Sequence, residues 1–407
     1  MVEKFTSKNG LRIVAEKMPH VRSVSFGIWV NVGSRYETKE ENGITHFIEH
    51  MLFKGTKTRN AKQIAEDFDQ LGAQTNAYTG KDQTCYYVVA LDQQIRPSIE
   101  ILADMFFHSV FDPEEMEKEK QVILEEMAMT EDAPDDDVDE RLWRAMYDNH
   151  PLGAPILGTE ETLKSFTQQQ VIDFMRTHYT PDQIVLSISG NYDDALIGEL
   201  QELFDQFTTT TDRGVVEFEA PVFHATETKK TSQVEQAHLA IGFPGLKVDD
   251  EKIVPYLVMN NIFGDSMSSR LFQRVREEKA LAYTVYSYYS AYSDTGAFMI
   301  YGGTSVKQRQ LMEDTIFEVI EEFKQTGVTE AELKSAKSQL ESSLLLGLET
   351  SYDYMTRNAK NELLYGKDRS VDEVLSLLTN VTVEDINEQI QTVFNQPYAK
   401  SVISSDI

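Results

Sequence analysis

Residues 23–56 read SVSFGIWVNVGSRYETKEENGITHFIEHMLFKGT, and two periodicities within them set the fold class. Val24, Phe26, Ile28 and Val30 recur every second residue, the mark of a strand. Over 42–53 the spacing turns helical, with Phe47, Ile48, Met51 and Leu52 making that helix largely apolar. Working outward, Leu11, Ile13 and Ala15 give an earlier strand, and 61–71 gives a second helix closed by Gly72. A strand pair follows at 74–78 and 83–91, joined around Gly80. Helices are expected at 95–110, 113–130 and 138–147, then a strand at 184–189 and a helix at 193–207. The second half restarts the series, with a strand at 236–243, helices at 254–264 and 270–279, and a strand pair at 282–292 and 297–302. Long helices at 306–325 and 330–365, the latter broken near Thr350, complete it.

Strand, helix, strand pair and long helices thus occur twice. A chain of 407 residues also exceeds the size at which one core stops growing. The expectation is an α+β protein of two similar domains, each a mainly antiparallel sheet packed with helices. The polar, aperiodic stretch 211–232 is the expected linker between residues 1–210 and 233–407.

A net charge of −29 argues against nucleic acid or an anionic membrane as a partner. No run of about 18 apolar residues occurs, and the N-terminal residues carry no secretory signal pattern. Cys85 is the single cysteine, which rules out an internal disulfide and a cysteine-based zinc cluster. A cytoplasmic location is expected. The acidic stretch 131–140 lacks the ordered spacing and glycine of a calcium loop, and reads as a solvated loop capping the next helix.

His46-Phe-Ile-Glu49-His50 carries the chemistry. Residues four apart share a helix face, so both imidazoles can reach one cation. Glu49 sits at the edge of that face, within reach of a metal-bound water whose proton a carboxylate can take. Two histidines and a glutamate would be costly on so apolar a helix without partners. The order is the reverse of the commoner His-Glu-x-x-His helix. A catalytic zinc needs a third protein ligand and an open position, and 113–130 supplies several carboxylates. Glu119 and Glu126 project from nearly one face, while Glu125 points about 100° away. Spacing does not choose among them.

The motif His46-x-x-Glu49-His50 with Glu119-x6-Glu126 resembles the pitrilysin/insulinase family of zinc peptidases, in particular its short, processing-peptidase-like branch. The resemblance spans essentially the whole chain. It implies one Zn2+ per chain, held by His46, His50 and Glu126, with Glu49 as catalytic base and Glu119 as a catalytic accessory. LGAQTNAYTGKDQTCYYV resembles the family's edge strand, implying that an extended peptide adds to Gln74, Thr75, Asn76, Ala77 and Tyr78. LFQRVREEKALAYTVYS resembles its Arg-Tyr element, implying that Arg276 and Tyr283 grip a substrate carbonyl and its developing oxyanion. Ala280 stands where the family has glycine, which leaves the local turn in question. The family's halves close as a clam-shell around a chamber. The implied activity is endopeptidase cleavage of short or unfolded peptides, with a homodimer as the expected assembly. The alternative is a non-catalytic peptide-binding subunit, a class that usually lacks metal ligands or the base. Another metal-dependent hydrolase would lack the edge-strand and Arg-Tyr segments.

Overall fold

A computed structural model describes residues 2–207 and 219–407. Contacts divide the chain into two compact units, neither continuous in sequence. One comprises 1–127, 154–218 and 347–368, the other 128–153, 219–346 and 369–407.

The first unit is built on strands β1 (Val2–Thr6), β2 (Arg12–Lys17), β3 (Ser23–Val30), β4 (Gln74–Thr79), β5 (Thr84–Leu91) and β6 (Ile184–Gly190). Their order is β1-β2-β6-β3-β5-β4, with β2 and β6 parallel and every other pair antiparallel. Side chains of alternate residues leave a strand on opposite faces. Phe26, Ile28, Val30, Tyr86 and Val88 therefore enter one apolar cluster. That cluster includes residues of helices α1 (Ile44–Leu52), α2 (Ala61–Leu71), α3 (Ile95–His108) and α4 (Pro113–Asp132). Trp29 and Cys85 enter another cluster with Val14, Val185, Met355 and Ala359. The helix Ser351–Tyr365 is what covers that second face, and the Trp29 indole donates to Met355 Sδ at 3.2 Å.

The second unit has strands β7 (Glu227–Thr231), β8 (Gln236–Gly245), β9 (Ala282–Ala291), β10 (Gly296–Ser305) and β11 (Ala399–Ser404), ordered β7-β11-β8-β10-β9. Only β7 and β11 run parallel. Leu239, Ile241, Phe298, Ile300 and Val402 pack with helices Ile253–Phe263, Arg309–Thr326, Glu330–Leu346 and Val383–Phe394. The opposite face, with Ala240, Ala297 and Met299, is covered by α5 (Pro134–Met146) through Val138, Leu142 and Trp143.

Three sequence expectations change here. The contiguous domains 1–210 and 233–407 give way to units that each include a helix from the other half of the chain. Amphipathicity says that a helix covers a sheet, not which one. Within the expected linker 211–232, residues 211–218 lie outside the described residues, and 227–231 is β7. This edge strand is rich in lysine and threonine, as sheet edges often are, so it does not stand out as a strand. The acidic stretch 131–140 is helical on either side of Ala133 rather than a loop. Pro134 opens α5, and Asp135, Asp136 and Asp137 occupy its first turn, where the helix dipole favours negative charge. Among the described residues no helix is long and apolar enough to cross a membrane.

Candidate metal centre

His46, Glu49 and His50 all lie on α1. The chain enters this helix through Gly43 at φ 94°, a left-handed conformation suited to glycine, and a Cβ there would strike the Leu157 carbonyl. Gly43 has no side chain to cap the helix. Glu37 caps it instead, its Oε2 accepting from Gly43 N at 2.7 Å and its Oε1 from Thr45 N at 2.9 Å. Burial pushes the Glu37 carboxyl up to about 7, against the pull of these donors.

The α1 imidazoles meet Glu126, which projects from α4. His46 Nε2 lies 3.8 Å and His50 Nε2 3.6 Å from the same oxygen, Glu126 Oε2. One ligand atom from each of the three residues falls within 4.8 Å of the others. Zinc bonds of about 2.0–2.1 Å in a tetrahedron set neighbouring ligand atoms about 3.3–3.4 Å apart. The residues present therefore fit such an ion with only small side-chain adjustment. Burial, with the nearby His50, drives the His46 pKa down to about 3. His46 is accordingly a neutral imidazole, the form that binds a metal.

Glu119, seven residues before Glu126, has a different part. His50 Nδ1 bonds Glu119 Oε1 at 2.8 Å, and Lys54 Nζ pairs with Glu119 Oε2 at 2.6 Å. Burial alone would raise this carboxyl, but the bonds from His50 and Lys54 hold it below its ordinary value. An ionised carboxylate only accepts, so His50 Nδ1 donates to Glu119, and Nε2 is the ring nitrogen turned toward Glu126. Of the three carboxylates that spacing left open, Glu126 meets the two histidines, Glu119 bonds the His50 ring, and Glu125 is exposed.

Glu49 is half-buried beside this group and accepts from the Thr79 hydroxyl at the end of β4. Burial raises its pKa, opposed by Thr79 and His50 and reinforced by the charge of Glu126. Residues 74–78 lie on β4, an edge strand bonded only to β5 among the described residues. Asn76 is exposed, its side-chain oxygen accepting from the Ala77 N–H.

Arg276 and Tyr283 belong to the other unit. Arg276 lies in the π-helical turn Phe272–Glu278, expected as an ordinary short helix, and Tyr283 is the second residue of β9. The guanidinium donates to the Tyr283 carbonyl at 2.9 Å and stacks 4.7 Å from its ring centre, leaving the tyrosine 76% exposed. Between them Ala280 adopts φ 49°. That is the left-handed region, which strains a residue carrying a Cβ.

Residues 12–160 match the family model described as insulinase (peptidase family M16), and residues 165–340 match the model described as peptidase M16 inactive domain. A Bacillus subtilis protein named uncharacterized zinc protease YmxG is 48% identical over 404 residues, covering 99% of this chain and 98% of its own. The chain belongs to peptidase family M16. As an M16 chain it shares its fold with a crystal structure titled peptidase M16 inactive domain, from Pseudomonas fluorescens (TM-score 0.93, 18% identity, 100% of this chain and 98% of the other). A protease from Helicobacter pylori aligns with TM-score 0.91 and 20% identity over 99% of both chains.

Thr79, Lys54 and Glu37 escape a sequence reading of this M16 site. Thr79 immediately follows the strand singled out for substrate, and Lys54 lies one turn beyond His50, so both had positional signals. Glu37 precedes its helix across an irregular turn, and no periodicity marks it.

Proposed function

We propose that this chain is a zinc-dependent endopeptidase that cleaves short or unfolded peptides within an enclosed chamber. The observation that carries the reading is the meeting of His46, His50 and Glu126 around one point, with Glu49 alongside. An ion bound there would act as a Lewis acid toward the scissile carbonyl and lower the pKa of a water to about 7. Glu49, beside the three ligands, would serve as the base that holds a proton and returns it to the leaving amine. Glu119 fixes the His50 tautomer and ring direction.

An extended peptide would add to the free edge of β4, which supplies main-chain hydrogen bonds independent of side-chain identity. The same strand ends at Thr79, the hydrogen-bond partner of Glu49, so strand addition would bring the peptide toward the base. The exposed phenol of Tyr283 and the guanidinium of Arg276 would hold the substrate carbonyl. We propose a homodimer in which each chain's pair completes its partner's centre, with one Zn2+ per chain and a cytoplasmic setting.

Zinc content and cleavage of a quenched-fluorescence peptide library, measured for the wild type and Glu49→Gln, test this reading. One zinc per chain, cleavage by the wild type and its loss in Glu49→Gln are expected. Stoichiometric zinc with no wild-type cleavage would favour a peptide-binding subunit, and unchanged cleavage by the variant would remove Glu49 as base.

A further inference from the structure

The two histidines of the centre are held in different ways. His50 is fixed by its own ring, through Nδ1 to Glu119 at 2.8 Å. His46 has no such tether, because its buried Nδ1 lacks a hydrogen-bond partner among the described residues. Metal-ligating histidines almost always have an outer partner on the second nitrogen. The direction of His46 must instead come from packing and from the backbone of α1.

That helix has only nine residues, Ile44–Leu52, and His46 sits in its first turn. A displacement at the N-terminus therefore reaches His46 before any turn of helix can absorb it. Glu37 controls this end. It is 3% exposed and binds three donors: Gly43 N, Thr45 N and Asn42 Nδ2, the last at 3.1 Å. The Thr45 amide immediately precedes His46. Asn42 is fixed in turn by its bond to the Pro155 carbonyl at 2.9 Å.

The turn that carries Glu37 is itself anchored. Ser34 N and Arg35 N donate to the Gly80 and Lys81 carbonyls, each at 3.0 Å, and buried Arg35 pairs with Asp82 at 3.0 Å. Residues 80–82 form the turn that follows β4, next to Thr79, the partner of Glu49. One short segment, 34–37, thus connects the start of the metal helix to the strand that contacts the base.

We propose that Glu37 is the positioning residue for His46, taking through the helix N-terminus the part that Glu119 takes through the His50 ring. It does not touch the metal. It sets where the first ligand points, and its replacement alters metal affinity out of proportion to any loss of fold stability.

The inference rests on the metal reading, and one experiment separates the two. Zinc affinity of metal-free protein is measured by competition with a chromophoric chelator, alongside the unfolding midpoint, for the wild type, Glu37→Gln, Glu37→Asp and Val24→Ala. Wild-type binding tests the metal reading, and the variant ratios test Glu37. Gln keeps one acceptor but turns an N–H2 toward the Gly43 and Asn42 donors; Asp keeps the charge on a shorter stem. Glu37→Gln should weaken zinc binding about 10- to 100-fold, the range for loss of an outer partner, and Glu37→Asp by less. Val24→Ala, a core truncation in β3, should stay within about threefold at a comparable fall in midpoint. Wild-type affinity in folded Glu37→Gln, or an equal loss in Val24→Ala, would overturn the proposal. Should Glu37→Gln fail to fold, Glu37→Asp decides: weakened binding supports the proposal and wild-type affinity refutes it.

Discussion

Lys54→Met separates what holds the metal centre from what holds the fold. Lys54 Nζ is 2.6 Å from Glu119 Oε2, and the Glu119 side chain is only 5% exposed. Removing the ammonium strands a buried carboxylate with His50 Nδ1 as its remaining close donor, a loss of about 3–5 kcal/mol when nothing relaxes. Lys54 is 30% exposed, so water can enter the vacated space, and a fall of about 2–3 kcal/mol is the reasoned magnitude. Glu119 becomes easier to protonate, and a neutral carboxyl orients His50 less firmly. Zinc affinity should fall about 10-fold, equivalent to about 1.4 kcal/mol. The double variant Lys54→Met/Glu119→Gln removes both charges and should recover most of the fold stability, but not the affinity. Urea unfolding of metal-free protein and chelator competition measure the two quantities. If Lys54→Met unfolds at the wild-type midpoint and binds zinc within twofold, the ion pair has no such role. A double variant that regains full affinity would show that Glu119 does not orient His50.

Thr79→Val removes the hydroxyl that donates to Glu49. That bond favours the ionised form, so its loss raises the Glu49 pKa and moves the acid limb of the kcat/KM profile to higher pH; an unmoved limb would contradict the assignment. Ala280→Gly should relieve the φ of 49°, stabilising the protein by about 1 kcal/mol, or about 2–4 °C in Tm, and calorimetry reads the sign directly. Chelation should lower the Tm of zinc-loaded protein, since an ion at 100 times its Kd contributes about 2.7 kcal/mol. Restoration by zinc but not by magnesium is expected, because the ligands include two imidazoles.

The helix that bears His46 and His50 is legible in the sequence because chemistry and period coincide there. Two histidines four apart on an otherwise apolar helix leave few alternatives. Strands such as Val24–Val30 show through alternation, and Gly72 and Thr350 mark helix ends that the structure places at the same points. The third carboxylate is different. Glu119, Glu125 and Glu126 are chemically alike, and only the approach of α4 to α1 assigns one to the histidine pair and another to the His50 ring. β1, β7 and β11 are hidden for another reason. The first and last strands of a sheet have one bare side and tolerate charge, while β11 comes late in the chain, after a series of helices. Its Lys400 looks out of place in a buried strand until Glu313 is found 2.6 Å from its ammonium.

The exchange of helices between the two units limits how this gene can be cut. A fragment ending near residue 207 would lack Met355 and Ala359, leaving Val14, Trp29, Cys85 and Val185 bare to solvent on an otherwise finished sheet. Such a product would be a sticky half rather than a minimal domain. Anyone isolating the unit that bears His46, His50 and Glu126 must graft 347–368 back onto it. If the halves arose by duplication, neither has stayed self-sufficient.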